Sequence, residues 1–105
     1  MSETADFTEW REVVEILRRA VNEERDRELL SLLLTPDERE TLLGRVNIVN
    51  ELLKGDLSQR QISQMLGVGV ATITRGSNEL KNQSKDTKQW LDSLLSGYRA
   101  PEGDS

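Results

Sequence analysis

The chain has no cysteine and no histidine among its 105 residues. Without cysteine there can be no disulfide framework, thiol nucleophile or thiolate metal site. Without histidine, the commonest metal ligand and the default general base near neutral pH are also gone. No nucleophile–base pair stands out among the residues that remain, so neither an enzyme nor a metal site is expected, and no cofactor is called for. Aromatic residues are limited to Phe7, Trp10, Trp90 and Tyr98. No apolar run approaches the roughly 20 residues that span a bilayer, so a membrane partner is not expected. The opening Met1-Ser2-Glu3-Thr4-Ala5-Asp6 is acidic and lacks the basic-then-apolar order of a secretion signal, which points to the cytoplasm.

What is present favours helices. The length suits one domain. Leucine supplies 16 residues, against four isoleucines and seven valines, a balance that predicts an all-α fold over a sheet. Hydrophobic residues make up only 35% of the chain. A small chain with few large side chains has a limited core of its own. Sharing a core with a second copy would relieve the shortage, so a homo-oligomer is expected.

Along the chain, Phe7, Trp10, Val14, Leu17 and Val21 form one helical stripe. A polar stretch, Asn22 to Glu28, precedes Leu29-Leu30-Ser31-Leu32-Leu33-Leu34, which leaves no polar face and should be buried nearly all round. Its cover is either the local core or another subunit. Thr35-Pro36-Asp37-Glu38 is the clearest helix start, with Thr35 as N-cap, Pro36 at the first helical position and Glu38 completing a capping box. That helix runs to Lys54, and Gly55 stops it. Ser58 and Gln61 form a second capping box, flanked by Leu57 and Ile62 at the spacing of a hydrophobic staple. A two-turn helix from Gln59 to Leu66, the turn Gly67-Val68-Gly69, a helix from Val70 to about Asn82 and a last helix from Lys85 to Leu95 complete the reading. The last helix is expected to bury Trp90, Leu91, Leu94 and Leu95. Residues 1–6 are expected to be a flexible arm, residues 7–95 one helical domain, and residues 96–105 a disordered tail. Within the domain, residues 7–54 form the core, 57–82 a helical pair and 85–95 the closing helix.

Two short helices joined by a glycine turn are either a plain hairpin or a DNA-binding helix-turn-helix. Ile62, Leu66, Val68 and Ile73 supply the small apolar cluster that holds such a pair together. The outer face offers Gln59, Arg60, Ser63, Gln64, Ala71, Thr72, Thr74 and Arg75, short or neutral hydrogen-bonding groups plus arginine, suited to base edges and phosphates. The net charge of −5 argues against nucleic acid only when summed over the whole chain. Residues 1–40 carry −6, residues 41–90 carry +3 and residues 91–105 carry −2. Between Leu57 and Asn78 there are two arginines and no acid. That composition favours the helix-turn-helix.

Five separated runs then coincide with one family. Leu34-Thr35-Pro36-Asp37-Glu38-Arg39-Glu40, Glu51-Leu52-Leu53, Leu57-Ser58-Gln59-Arg60, Ala71-Thr72-Ile73-Thr74-Arg75-Gly76-Ser77-Asn78 and Gln89-Trp90-Leu91 closely resemble the tryptophan repressor family of bacterial biosynthetic operons. The likeness runs without an obvious gap from about Trp10 to Leu95. It implies an all-α, six-helix subunit with a helix-turn-helix, in an intertwined homodimer whose amino-terminal and central helices make a common core. It also implies L-tryptophan as corepressor, one molecule per subunit, and operator double-stranded DNA as partner. Helix-turn-helix docking in the major groove and water-mediated base contacts come with the family.

The implied ligand residues are Arg45 and Arg75, whose guanidinium planes would sandwich the indole. Arg75 would also meet the carboxylate. Gly76 would allow close approach of ring and backbone. The ligand ammonium would find carbonyls near Leu32 and Leu34 of the partner subunit, with Thr35 close by. Without the family, Arg45 reads as a solvated helix arginine. On the DNA side the resemblance implies Arg60 at a guanine edge, Val70, Ala71, Thr72 and Thr74 at the tip and flank of the recognition helix, and Gln59, Asn78 and Lys81 at phosphates.

Three positions depart from the best-known member. Ser63 stands in place of a lysine on the DNA face, and Asn47 in place of an arginine on the central helix. Glu79 stands in place of a serine near the ligand amino group, where a carboxylate could either pair with the ammonium or point to solvent and repel phosphate. The alternatives to a tryptophan-dependent repressor are a helix-turn-helix DNA-binding dimer with an altered or lost effector, and a helical protein–protein assembly module.

Overall fold

The computed structural model describes residues 4–100, and among them it contains six α-helices and no strand. They are α1 (Trp10–Asn22), α2 (Asp26–Leu33), α3 (Pro36–Lys54), α4 (Gln59–Leu66), α5 (Val70–Lys81) and α6 (Lys85–Ser96). The all-α expectation is met. No helix among the described residues is long and apolar enough to cross a membrane. The chain divides into two compact units, Met1–Arg39 and Glu40–Ser105.

In the first unit α1 packs against α2. α1 begins at Trp10, so Phe7 precedes the helix instead of opening it. The turn after α1 is closed by Arg25 N–H donating to the Ala20 carbonyl at 2.8 Å and Glu24 N–H donating to the Val21 carbonyl at 3.0 Å. Glu24 sits at φ 58°, a left-handed position usually given to glycine. α2 starts at Asp26, earlier than the leucine run alone suggests. Asp26 and Glu28 lie in its first turn, where negative charge suits the helix dipole. Arg25 pairs with Glu28 at 2.8 Å. The hydrogen bond and charge of Arg25 hold the Glu28 carboxyl below its usual range, and Glu28 in turn raises Arg25. Neither α1 nor α2 has a buried residue. Leu32 is 85% and Leu33 57% exposed, so the all-round burial expected of the leucine run is not achieved within one chain. The unit ends in the start of α3. There the expected capping box is formed, with Glu38 N–H donating to Thr35 Oγ1 at 3.1 Å and Thr35 N–H to Glu38 Oε1 at 2.9 Å.

The second unit holds the remainder of α3 with α4, α5 and α6. Gly55, at φ 71°, ends α3 and donates its N–H to the Glu51 carbonyl at 3.1 Å. Ser58 and Gln61 make the second capping box. α4 and α5 pack together around Ile62 and Ile73, both fully buried, joined by Ile48 of α3. Leu52, Leu57, Leu66 and Val68 surround them. The predicted cluster and staple are therefore present, with two α3 residues added. Gly67, at φ 69°, turns the corner between the helices, the left-handed conformation that favours glycine.

Two details of the closing segment differ from expectation. Trp90 is 59% and Leu94 43% exposed, while Leu91 and Leu95 are half-buried; α6 turns only part of its apolar side onto its own chain. The tail is also ordered beyond Ser96. Tyr98 N–H donates to the Leu95 carbonyl, and the half-buried Arg99 donates to Asn50 Oδ1 at 2.6 Å and Asp92 Oδ1 at 2.8 Å. An acceptor on α3 and another on α6 thus hold residues that composition alone assigns to disorder. Residues 101–105 of the expected tail, and 1–3 of the expected arm, lie outside the described residues.

Candidate functional site

A groove of about 370 Å³ is built entirely within the second unit. α3 contributes Arg45, Ile48 and Val49, and α5 contributes Thr72, Arg75, Gly76, Glu79 and Leu80. Gln83 follows α5, and Thr87 and Leu91 come from α6. The spacing explains the convergence. On α5 the lining residues recur three and four apart, which places them on one helical face, and Arg45, Ile48 and Val49 do the same on α3.

Gly76 has a definite steric reason. A Cβ there would meet Ile48 Cγ2 at 3.3 Å, so glycine lets α5 close onto α3 at the floor of the groove. Ile48 is itself 3% exposed and belongs to the core, which makes that floor stiff. The expectation of a close approach at Gly76 thus has a helix-packing cause in addition to any ligand. Arg45, Arg75 and Glu79 are exposed. Among the described residues none of the three has an ion-pair or side-chain hydrogen-bond partner. An apolar floor, two unpaired guanidiniums and one unpaired carboxylate suit a small amphipathic ligand bearing charges of both signs.

Four of the seven residues expected at the ligand therefore line one groove: Arg45, Arg75, Gly76 and Glu79. Leu32, Leu34 and Thr35 belong to the first unit. Thr35 is also the N-cap of α3. Sequence reasoning missed Ile48, Val49, Leu80, Gln83, Thr87 and Leu91. All but Gln83, which follows α5, and Thr87 and Leu91 of α6 were findable as same-face neighbours of Arg45 and Arg75. Those two sit on a different helix, and no spacing links them to either arginine. Thr72, expected at DNA, lines the groove as well.

The outer side of α4 and α5 carries the remaining DNA candidates. Arg60, Val70, Ala71, Thr74, Asn78 and Lys81 are exposed. Gln59 is half-buried, and its amide oxygen accepts from Thr74 Oγ1 at 2.8 Å. That bond ties the start of α4 to α5 and leaves the Gln59 amide N–H groups to donate elsewhere. Ser63 is half-buried, and its hydroxyl donates to the Val68 carbonyl in the turn that follows α4.

A glycine-cornered helix pair with an acid-free polar outer face, and a ligand-sized groove at its root, defines a ligand-responsive helix-turn-helix regulator. Comparison with known proteins makes this particular. The family model described as Trp repressor protein matches residues 8–95, and the chain belongs to that family. It is 70% identical over 93 residues to the Trp operon repressor homolog of Photobacterium profundum, covering 89% of this chain and 90% of that one. A Vibrio vulnificus homolog of the same description is 58% identical over 99 residues, covering 94% of this chain and 97% of its own. The Vibrio cholerae homolog is 60% identical over 95 residues, covering 90% of this chain and 92% of its own.

Proposed function

We propose that the chain is an L-tryptophan-dependent repressor of transcription that binds operator DNA of tryptophan or aromatic biosynthesis operons as a homodimer in the cytoplasm. It has no catalytic role, and tryptophan is its corepressor. The observation that carries this reading is that α5 serves two surfaces at once. Thr72, Arg75, Gly76 and Glu79 line the groove, while Ala71, Thr74 and Asn78 lie outside it and are exposed. A molecule held in the groove therefore touches the helix proposed to enter the major groove.

The dimensions support a ligand of this size. Small-molecule sites span about 300–1,000 Å³, and the groove is at the small end of that range. The apolar floor accepts a ring, the arginines accept its faces and the carboxylate, and carbonyls near Leu32 and Leu34 of the partner subunit, beside Thr35, take the ammonium. DNA is met by Arg60 at a base edge, by Val70, Ala71, Thr72 and Thr74 at the helix tip, and by Gln59, Asn78 and Lys81 at phosphates. Ser63 supports the turn beneath them.

Dimerisation through residues 7–54 is supported by the apolar surface left uncovered in one chain. Trp10 is 76% exposed and Leu32 85%, and Trp90 is more than half exposed. Exposed apolar surface on this scale, in a chain with so small a core, fits a partner of the same kind. Residues 57–82 would then form one head per subunit, spaced to reach successive major grooves.

The test is operator-DNA binding at fixed salt with and without L-tryptophan. Coupling of this kind is commonly about 5–150-fold, so saturating L-tryptophan should tighten specific binding by at least about fivefold. Specific binding that ignores L-tryptophan leaves a DNA-binding dimer with another effector. No specific binding in either condition leaves an assembly module.

A further inference from the structure

One side of the groove is a helix that its own chain holds weakly. α6 supplies Thr87 and Leu91 to the lining. Yet α6 has no buried residue, and Trp90 and Leu94 on it are exposed. α3 and α5, by contrast, are joined through the buried Ile48 and Ile73. Few buried apolar contacts mean low local stability, so apolar packing alone leaves the α6 side of the groove loosely placed.

The segment after α6 supplies a second attachment. The Arg99 guanidinium donates from Nε to Asn50 Oδ1 of α3 at 2.6 Å and from Nη2 to Asp92 Oδ1 of α6 at 2.8 Å. Its side chain is only 24% exposed, so these two acceptors replace much of its water. Each acceptor directly follows a groove residue: Asn50 follows Val49, and Asp92 follows Leu91. One step along an α-helix turns about 100°, so Asn50 and Asp92 point away from the groove that their neighbours line. Arg99 thus clasps both helices from behind, at the level of Val49 and Leu91. It does not line the groove itself, and it lies past residue 95, where the family match ends.

We propose that Arg99 is a positioning residue for the groove. Its clasp fixes the spacing of α3 and α6 and so sets the α6 wall before a ligand arrives. The inference rests on the reading of this groove as the L-tryptophan site and concerns a residue that does not touch the ligand. With the clasp lost, α6 takes several positions, and apparent affinity falls with the fraction of molecules whose groove is complete. A hydrogen bond to a charged group corresponds to about a 10- to 100-fold shift in such an equilibrium, which sets the scale.

The experiment is calorimetric titration of the full-length protein with L-tryptophan, joined to amide hydrogen exchange of the ligand-free protein. Arg99→Ala should weaken L-tryptophan binding by about tenfold. Arg99→Lys, which keeps a cation beside Asp92, should recover part of that loss. Exchange should quicken in α6 of ligand-free Arg99→Ala and stay as in the wild type in α4 and α5, a pattern that general destabilisation does not give. If Arg99→Ala binds L-tryptophan as the wild type does, the role of Arg99 is overturned and the groove assignment survives. Weaker binding with faster exchange in all three helices also overturns it, because the effect is then one of stability alone. If the wild type does not bind L-tryptophan, the groove assignment fails and the role of Arg99 falls with it.

Discussion

The two units of this chain meet the demand for a core in opposite ways. In the second unit, Ile48, Ile62 and Ile73 are buried and ringed by Leu52, Leu57, Leu66 and Val68, so α3 and the helix-turn-helix share one apolar centre. In the first, neither helix buries a single residue, although it holds Trp10, Val14, Val21, Leu32 and Leu33. The apolar content of the first unit is not small. It is turned outward. The difference teaches that a thin core in composition conceals two kinds of segment: one packed around its own centre, and one whose apolar side chains a single chain leaves exposed.

The strongest way to break that comparison is Leu32→Glu. A buried unpaired charge costs about 3–5 kcal/mol, and a symmetric dimer would bear it twice. Sedimentation should show a monomer; a dimer of unchanged affinity would mean that this surface faces water in solution. Ile62→Ala attacks the other unit. Removing most of a fully buried isoleucine should cost about 3 kcal/mol of stability by denaturant titration and loosen the head. A loss below about 1 kcal/mol would show that the head is not held by its own centre.

Two smaller changes sharpen the account of the first unit. Glu24→Gly relieves a left-handed non-glycine residue and should raise stability by about 1 kcal/mol, seen as a higher Tm. No gain would mean that the turn tolerates glutamate without strain. Glu28→Gln removes the exposed pair with Arg25 and should have the smallest effect. Its sign in pH is fixed, because the folded Glu28 carboxyl lies below its usual value. The contribution of the pair is present above the ordinary glutamate range and fades as pH falls through the lowered folded value. Melting curves of the two proteins should therefore converge in acid.

The sequence made the helix order legible because punctuation and periodicity agreed. Thr35 with Glu38, Ser58 with Gln61, and Gly55 and Gly67 mark boundaries by local hydrogen bonding and backbone conformation, which need no tertiary context. The start of α2 at Asp26 was hidden because three polar residues interrupt the apolar pattern, and a first helical turn needs no apolar face. The order around Arg99 was hidden because its acceptors, Asn50 and Asp92, lie on two other elements. Within the site, the arginines and Gly76 were reachable through the family likeness. Thr87 and Leu91 were not, since only the fold brings α6 to the groove. The Ser63 bond to the Val68 carbonyl was hidden because a polar residue on a helix face can turn inward to the following turn.

The central claim is that one helix couples the groove to DNA, and linkage supplies its most direct test. L-tryptophan affinity should be measured by calorimetry for the free protein and for the protein saturated with operator DNA, at one salt concentration. Operator DNA should tighten L-tryptophan binding by the same factor by which L-tryptophan tightens operator binding, at least about fivefold. Equal L-tryptophan affinity in the two states would contradict the account.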